Sequence, residues 1–324
     1  MRGTSSMSAV MLASLAMLAL ACGGSPSSTP TPSAEAAPSS SATATPSATP
    51  PPWPVAAVLT PVARAHITTD NLNVRTGPST TAPAIGLLQP GDDIEVAGRS
   101  ADSQWLAIPE VGWTAYRAEW MQLSGDLKSL PAIEARALVP AMQPTGASSG
   151  YPLIDAIVDA VLSQDVARLR QQIQTMSLPC QRAPGMGGPP PCSLRPGADP
   201  NTNLEVFPTS VCEGEHVLAD SLPTILPRLY LSDATPGVTN VPLRLYAVIA
   251  APREQSAYFP DGRWVAIFAQ PDGSGRALGI TEKGIVRIDF GCRAQATEML
   301  QRRQFEAPQF VLSPVLKPPV RPRP

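Results

Sequence analysis

Few side chains in this sequence ordinarily change their protonation state near neutral pH. The 324 residues include two histidines, His66 and His216, too few for a three-histidine metal site. A thiol peptidase pairs a cysteine with a histidine base, but Cys212 is better explained as half of a disulfide. The polar cluster around one histidine consists of Glu213, Glu215, His216 and Asp220. This cluster is more typical of a solvated loop than of an active site, so we expect no enzyme, no metal and no cofactor.

Another cysteine, Cys22, follows an N-terminal segment with the composition of an export signal. Arg2 is its only charged residue, and residues 7–21 form a largely apolar run. This run is shorter than the roughly 20 residues that span a bilayer, but it suits a signal peptide. The Ala21-Cys22 junction resembles the lipobox of bacterial lipoproteins. The resemblance implies removal of residues 1–21, acylation of Cys22 (for example with palmitate) and anchoring to the outer face of the cell membrane. An ordinary secretory signal is the alternative.

The segment 22–63 has the composition of a flexible tether. Ser, Thr, Pro and Ala dominate it, Glu35 is its only charge before residue 64, and it shows no apolar periodicity. Such a segment cannot offset the entropy lost on ordering. We therefore expect a lipidated Cys22 followed by a disordered tether that holds the next domain away from the membrane.

Four further cysteines point to disulfide bonds in an exported chain: Cys180, Cys192, Cys212 and Cys292. An even number favours disulfides, although four cysteines allow three pairings. We favour Cys180–Cys192, because the Gly/Pro-rich loop between them has little else to fix it. Cys212–Cys292 is then the second pair. Neither pair has the close spacing of a zinc knuckle.

Residues 64–124 show the pattern of a small all-β domain. Short apolar or alternating runs predict strands at 65–68, 72–75, 85–88, 94–97, 105–108 and 112–116. The ordered motif is Leu72-Asn73-Val74-Arg75-Thr76-Gly77-Pro78-Ser79, followed by Ile85-Gly86, Gly91, Val96, Trp105 and Gly112-Trp113. This segment resembles the bacterial SH3 domain of cell-wall-associated proteins.

The resemblance implies an SH3-like barrel that acts as a binding module. Domains of this family commonly bind peptidoglycan peptides or other envelope components, and some serve only as structural or docking units. Aromatic side chains suit a peptide-binding groove, because rings supply contact area at low entropic cost. The candidate ligand-binding residues are Asp102, Trp105, Trp113, Tyr116 and Trp120.

The C-terminal half predicts an α+β domain at residues 150–310, after a linker at 125–149. Apolar residues at helical spacing follow Pro152, and later segments alternate with period two. We expect strands at 243–249 and 264–268 and a hairpin from 277–280 to 285–290. The element order is loosely similar to the cystatin-like cone fold. Residues 311–324 form a Pro-rich tail, in which residues 317–324 are expected to be disordered.

These features predict a membrane-anchored, exported lipoprotein with a non-catalytic SH3-like module for peptidoglycan or another cell-envelope component. The net charge of −2 and pI of about 5.8 give no reason to expect a nucleic-acid partner. Two alternatives stay open. One is a cell-wall hydrolase, because a glycosidase needs only two carboxylates. The other is a small-molecule pocket in the C-terminal domain.

Overall fold

The computed structural model describes residues 59–210, 214–233, 235–250, 257–260, 262–290, 294–301 and 309–323. The predicted signal peptide, Cys22 and the tether up to residue 58 lie outside the described residues. So do Cys212 and Cys292, which leaves their pairing a prediction. Within the described ranges, no helix has the length and apolar character needed to cross a membrane.

Eight short strands build the N-terminal barrel. They are β1 Ala63–Ile67, β2 Leu72–Arg75, β3 Ala84–Leu88, β4 Asp93–Val96, β5 Gly98–Arg99, β6 Trp105–Ile108, β7 Gly112–Ala115 and β8 Met121–Leu123. One sheet has the order β4-β1-β8 and the other the order β3-β2-β7-β6-β5. All six strands expected from the sequence are present, with ends shifted by at most two residues.

Alternation of apolar and polar residues explains how these strands form a core. In β1 and β4 every second side chain is buried, which places Ala65, Ile67, Ile94 and Val96 inside. They pack with Val74, Leu88 and Leu106 from the other sheet. The polar side chains that alternate with them lie on the outer face of the barrel.

The predicted linker is packed against the barrel. Arg99 N–H donates to the carbonyl of Pro131 (2.9 Å), and Ile133 N–H donates to the carbonyl of Arg99 (2.8 Å). Gly98 permits this approach, because a Cβ there would lie 2.4 Å from the Pro131 oxygen. Leu138 of the same segment is buried against the barrel's tryptophans. The segment is therefore part of the folded unit.

The C-terminal domain is built on an eight-stranded sheet. Its strands are β9 Met176–Pro179, β10 Asn203–Ser210, β11 Glu215–Leu218, β12 Arg244–Ala250, β13 Trp264–Ala269, β14 Gly275–Thr281, β15 Gly284–Asp289 and β16 Phe310–Leu312. The order is β11-β10-β15-β14-β13-β12-β16, with β9 also paired to β10. Its pairings are antiparallel except for β10–β15.

Helices cover both faces of this sheet. The α-helices are α1 Pro152–Leu162, α2 Val166–Gln171, α3 Leu222–Ile225 and α4 Ala296–Gln301. Short 3₁₀ helices occur at Leu127–Ser129, Ala135–Ala137, Cys192–Leu194, Ala219–Ser221 and Leu226–Tyr230. Helices α1, α2 and α3 pack on one face and α4 on the other. The cystatin-like cone, suggested by element order alone, stays a prediction.

Local sequence accounts for α1 and for the central strand β13. Pro152 occupies the first turn, where its missing N–H costs no hydrogen bond, and Ile154, Ile157 and Val161 face the sheet. All six residues of β13 are buried, because alternate side chains pack against helices on opposite faces. Both features agree with the sequence pattern.

The disulfide Cys180–Cys192 is present in the structure. It joins residues 12 apart, with 4.9 Å between their Cα atoms, and both side chains are buried beside Leu204 and Val206 of β10. The bond fixes the Gly/Pro-rich loop against the sheet, as the sequence predicts.

The prediction of disorder in the C-terminal tail is wrong for residues 317–323. Phe310–Leu312 forms β16 on the edge of the large sheet, while Val320 is buried in the barrel core. The tail also carries Arg321, whose guanidinium pairs with Asp92. The high proline content of the tail favoured a prediction of disorder, although the tail also has apolar side chains and an arginine that pairs with Asp92.

Candidate functional site

A cleft of about 410 Å³ lies between the outer face of the barrel and the tail. Its charged side chains are Arg64, Asp93, Glu95, Glu110 and Lys317. Its apolar lining includes Ile94, Ile108 and Val111, and Pro109, Pro318 and Pro319 contribute to its walls. The cleft therefore offers both signs of charge beside an apolar surface.

Strand register places most of these charges. Arg64 on β1 lies opposite Glu95 on β4, and His66 lies opposite Asp93. These four alternate with the buried residues of the same strands, so they project outward. The His66 Nδ1 is 2.8 Å from the Asp93 Oδ1, and both side chains are exposed. This paired register aligns a row of polar groups along the barrel.

Glu110 and Lys317 complete the cleft from two different segments. Glu110 lies in the β6–β7 turn with a φ of 58°, a left-handed conformation uncommon for a residue other than glycine. Its carboxylate forms an ion pair with the ammonium of Lys317 in the tail. The tail thus supplies one wall of the cleft and one of its positive charges.

Two of the predicted ligand-binding residues cannot serve that role in this structure. Trp113 is fully buried and Trp105 is 7% exposed. Leu59, Ile133 and Leu138 pack over them. The expectation that these rings line an open groove is corrected, because the segment after the barrel covers that face.

The other three predicted residues also lie outside the cleft lining. Asp102 accepts hydrogen bonds from the Ser100 Oγ (2.5 Å) and the Gln104 N–H (3.1 Å), which lower its pKa and hold the turn before β6. Tyr116 and Trp120 are half-buried against the barrel core, and the Arg117 guanidinium stacks 5.1 Å from the Trp120 ring centroid. The structure does not bring the five candidates together.

The cleft residues escaped sequence reasoning for a physical reason. Arg64 and Glu95 belong to alternating strands, whose outward positions are predictable, but nothing in the sequence shows which outward face is concave. Lys317 follows Glu110 by 207 residues, so only the folded chain brings them into contact.

His216, at the centre of the predicted polar cluster, is buried in a strand. His216 lies in β11 and is 5% exposed, where its Nε2 is 3.0 Å from the carbonyl oxygen of Tyr258. Its ring packs 4.5 Å from that of Phe259. Burial lowers the pKa of His216, although the contact with Tyr258 acts in the opposite direction. The expected solvated loop is therefore a buried strand position at His216, and Glu213 lies outside the described residues.

A second cavity, of about 500 Å³, lies in the C-terminal domain. Its walls are the segment 143–148, helix α1 and the segment 242–245. Val158, Leu162, Leu243 and Leu245 make much of it apolar, and Asp155 and Asp159 add carboxylates. Across the described ranges, no group of three or more His, Cys, Asp or Glu residues could hold a metal ion.

Comparison with known proteins identifies the N-terminal barrel. A family model described as the bacterial SH3 domain matches residues 70–121. No curated protein and no solved structure matches the chain. The matched segment contains β2 to β7 and ends at the first residue of β8, in agreement with the resemblance found in the sequence. The chain therefore contains a bacterial SH3 domain.

Proposed function

We propose that this protein is a membrane-anchored lipoprotein that uses its SH3 domain, without catalysis, to bind a peptidoglycan peptide. The observation that carries the proposal is the cleft on the barrel, with acidic and basic side chains around an apolar floor. A binding site of this kind holds its ligand through a few placed polar groups and an apolar surface.

The chemistry of the cleft favours a zwitterionic peptide. Asp93 and Glu95 attract an amine, and Arg64 attracts a carboxylate. Peptidoglycan stem peptides carry both groups on a short, extended backbone. The prolines that line the cleft add a rigid contact surface that loses little entropy when a ligand binds.

Matched charge changes test the role of the cleft. The mature chain with Cys22→Ser, which has no thiol for acylation, is incubated with purified peptidoglycan sacculi and the bound fraction is measured. We expect Glu95→Lys and Arg64→Glu each to weaken binding by at least about tenfold, since each removes one complementary charge and adds a repulsive one.

Two control variants separate recognition from general electrostatics. Glu119→Lys and Arg136→Glu make the same charge changes at exposed positions outside the cleft lining. We expect them to bind as the parent chain does. Equal binding by the cleft variants and the parent would contradict the proposal.

The membrane anchor rests on the sequence around Cys22. Acylated cysteine would hold the chain at the membrane, and the segment after it would place the SH3 domain within reach of the wall. Membrane fractions of cells that express the wild type should contain the protein, and Cys22→Ala should shift it to the soluble fraction. If the wild type and Cys22→Ala were found in the soluble fraction to the same extent, this result would contradict acylation.

A second candidate function is small-molecule binding in the C-terminal domain. The mainly apolar cavity beside α1, with two carboxylates at its edge, supports an apolar amine as ligand. Native mass spectrometry of the purified chain would detect a retained ligand. Leu162→Trp fills the cavity, and its failure to reduce ligand retention would count against this candidate.

A further inference from the structure

The end of the chain pairs with an edge strand of the SH3 barrel. Strand β3 is the outermost strand of its sheet. Its Leu87 N–H donates to the Arg321 carbonyl (2.9 Å), and the Arg321 N–H donates to the Leu87 carbonyl (3.0 Å). This reciprocal antiparallel pair is how an extended peptide adds to an exposed sheet edge.

A side-chain slot accompanies this backbone pairing. Val320 is 6% exposed and belongs to the barrel core, with Leu316 packed beside it. Gly86 on β3 makes room for them, because a Cβ there would lie 2.6 Å from the Val320 Cγ1 and 3.0 Å from the Arg321 oxygen. The slot therefore selects an apolar side chain at a defined position of an extended segment.

The buried carboxylate of Asp92 binds Arg321, the residue that follows Val320 in the segment. Asp92 is 7% exposed and accepts two hydrogen bonds from the Arg321 guanidinium, at 2.6 and 2.9 Å. Its position is fixed by the Gln89 N–H, which donates to the same carboxylate (2.7 Å). A two-pronged contact of this kind suits arginine and not lysine.

We propose that the edge of β3, with Gly86, Leu87 and Asp92, is a peptide-recognition site whose resident ligand is the chain's own segment 316–322. A segment that displaces it must present an apolar residue followed by arginine in an extended conformation, as Val320 and Arg321 do. This site is separate in chemistry from the proposed cleft for wall peptides, and it does not depend on that function.

Linkage in one chain explains why the site is occupied in the structure. A tethered segment acts at an effective concentration of the order of millimolar. A free peptide must therefore be more concentrated or bind more tightly to displace it. Removal of the segment should expose the site. The tail also lines the charged cleft through Lys317, so exchange of the segment would alter both sites.

The test uses a chain that ends at Ser313 and a fluorescent peptide with the sequence of residues 314–324. We expect the shortened chain to bind this peptide at least about tenfold more tightly than the intact chain does, as measured by anisotropy. Asp92→Asn in the shortened chain should weaken binding by at least about tenfold, because the guanidinium loses its charged partner.

A charge reversal distinguishes recognition from general packing. The shortened chain with Asp92→Arg should bind the peptide that carries Arg321→Asp and should reject the natural peptide. If the shortened chain is unfolded by circular dichroism, the intact chain with Arg321→Asp is used, and it should bind the natural peptide. Absence of peptide binding by a folded variant, or equal binding of both peptides, would overturn the proposal.

Discussion

Trp113 illustrates the limit of assigning a role from residue type. Its position in a strand was predictable, because Gly112-Trp113 belongs to the ordered motif of the domain. Its environment was not, since the residues that cover it come from segments outside the motif. A tryptophan suits a ligand groove and a buried core equally well. Only contacts distant in sequence decide between them.

Substitution of Trp113 should therefore affect stability and leave ligand recognition intact. Trp113→Ala removes a fully buried ring and should lower the free energy of unfolding by about 3–5 kcal/mol. Urea denaturation followed by circular dichroism measures this change. Trp113→Phe should cost less, and its folded form should bind sacculi as the parent does. Loss of sacculus binding by folded Trp113→Phe would argue for a direct role of this ring.

His216 should make stability depend on pH. Its folded pKa is lowered by burial, so below its ordinary value of 6.5 the unfolded chain takes up a proton that the folded chain does not. The free energy of unfolding should fall as the pH drops from about 6.5 towards the lowered pKa. Among the described residues, the Tyr258 carbonyl and the Phe259 ring contact the His216 ring.

Denaturant titrations between pH 7.5 and pH 5 check the His216 prediction. His216→Gln cannot take up this proton and should show a flatter dependence over the same range. An identical pH dependence in the two chains would contradict it.

At the scale of the elements, strand and helix positions follow from local pattern, whereas sheet order does not. Alternation predicts β2, and a short apolar run predicts β6. Two runs on either side of a Gly-containing turn predict the β14–β15 hairpin, and helical spacing predicts α1. The parallel pair β10–β15 joins segments about 80 residues apart. The local sequence of either strand does not predict this pairing. Strand β16 was missed because it has three residues and lies within a Pro-rich context.

The Cys180–Cys192 disulfide should stabilise the loop it closes. On the chain-entropy estimate, loss of this short cross-link costs about 3 kcal/mol. Replacement of both cysteines by alanine should lower the urea midpoint accordingly. The parent chain under reducing conditions should show a midpoint at or below that of the double variant, because reduction also opens the predicted Cys212–Cys292 bond. A midpoint that does not change in the double variant would show that the β9–β10 contacts fix the loop without the bond.

Arg276 on β14 holds the segment after the 3₁₀ helix Leu226–Tyr230 to the sheet. It is 1% exposed and pairs with Asp233 through two nitrogens, at 2.9 and 3.0 Å. It also donates to the carbonyls of Leu229 and Leu231. Arg276→Met leaves these acceptors without their donor and should cost about 3–5 kcal/mol. Thermal unfolding measures the loss.

The exposed pair Arg263–Glu282 provides the control for Arg276. Arg263→Met removes an ion pair that water screens, so the unfolding midpoint should change far less. A similar loss in both variants would contradict the importance of burial at Arg276.

For the whole molecule, the segments flanking the predicted domains prove to be structural. The segment after the barrel covers its tryptophans, and residues 309–323 contact both the large sheet and the barrel. The sequence predicted a linker at 125–149 and disorder at 317–324, because neither segment shows a sustained apolar period. It did not show which apolar side chains of these segments would pack against the domains. The bacterial SH3 domain itself was predictable from its ordered motif. The position of its cleft required the fold.

The most direct test of the central claim is an NMR titration of the isotope-labelled mature chain with a soluble peptidoglycan stem peptide. The account predicts amide shift changes concentrated at Arg64, Glu95, Glu110 and Val111, which line the cleft. Shift changes confined to the cavity beside α1, or no changes at saturating peptide, would contradict it.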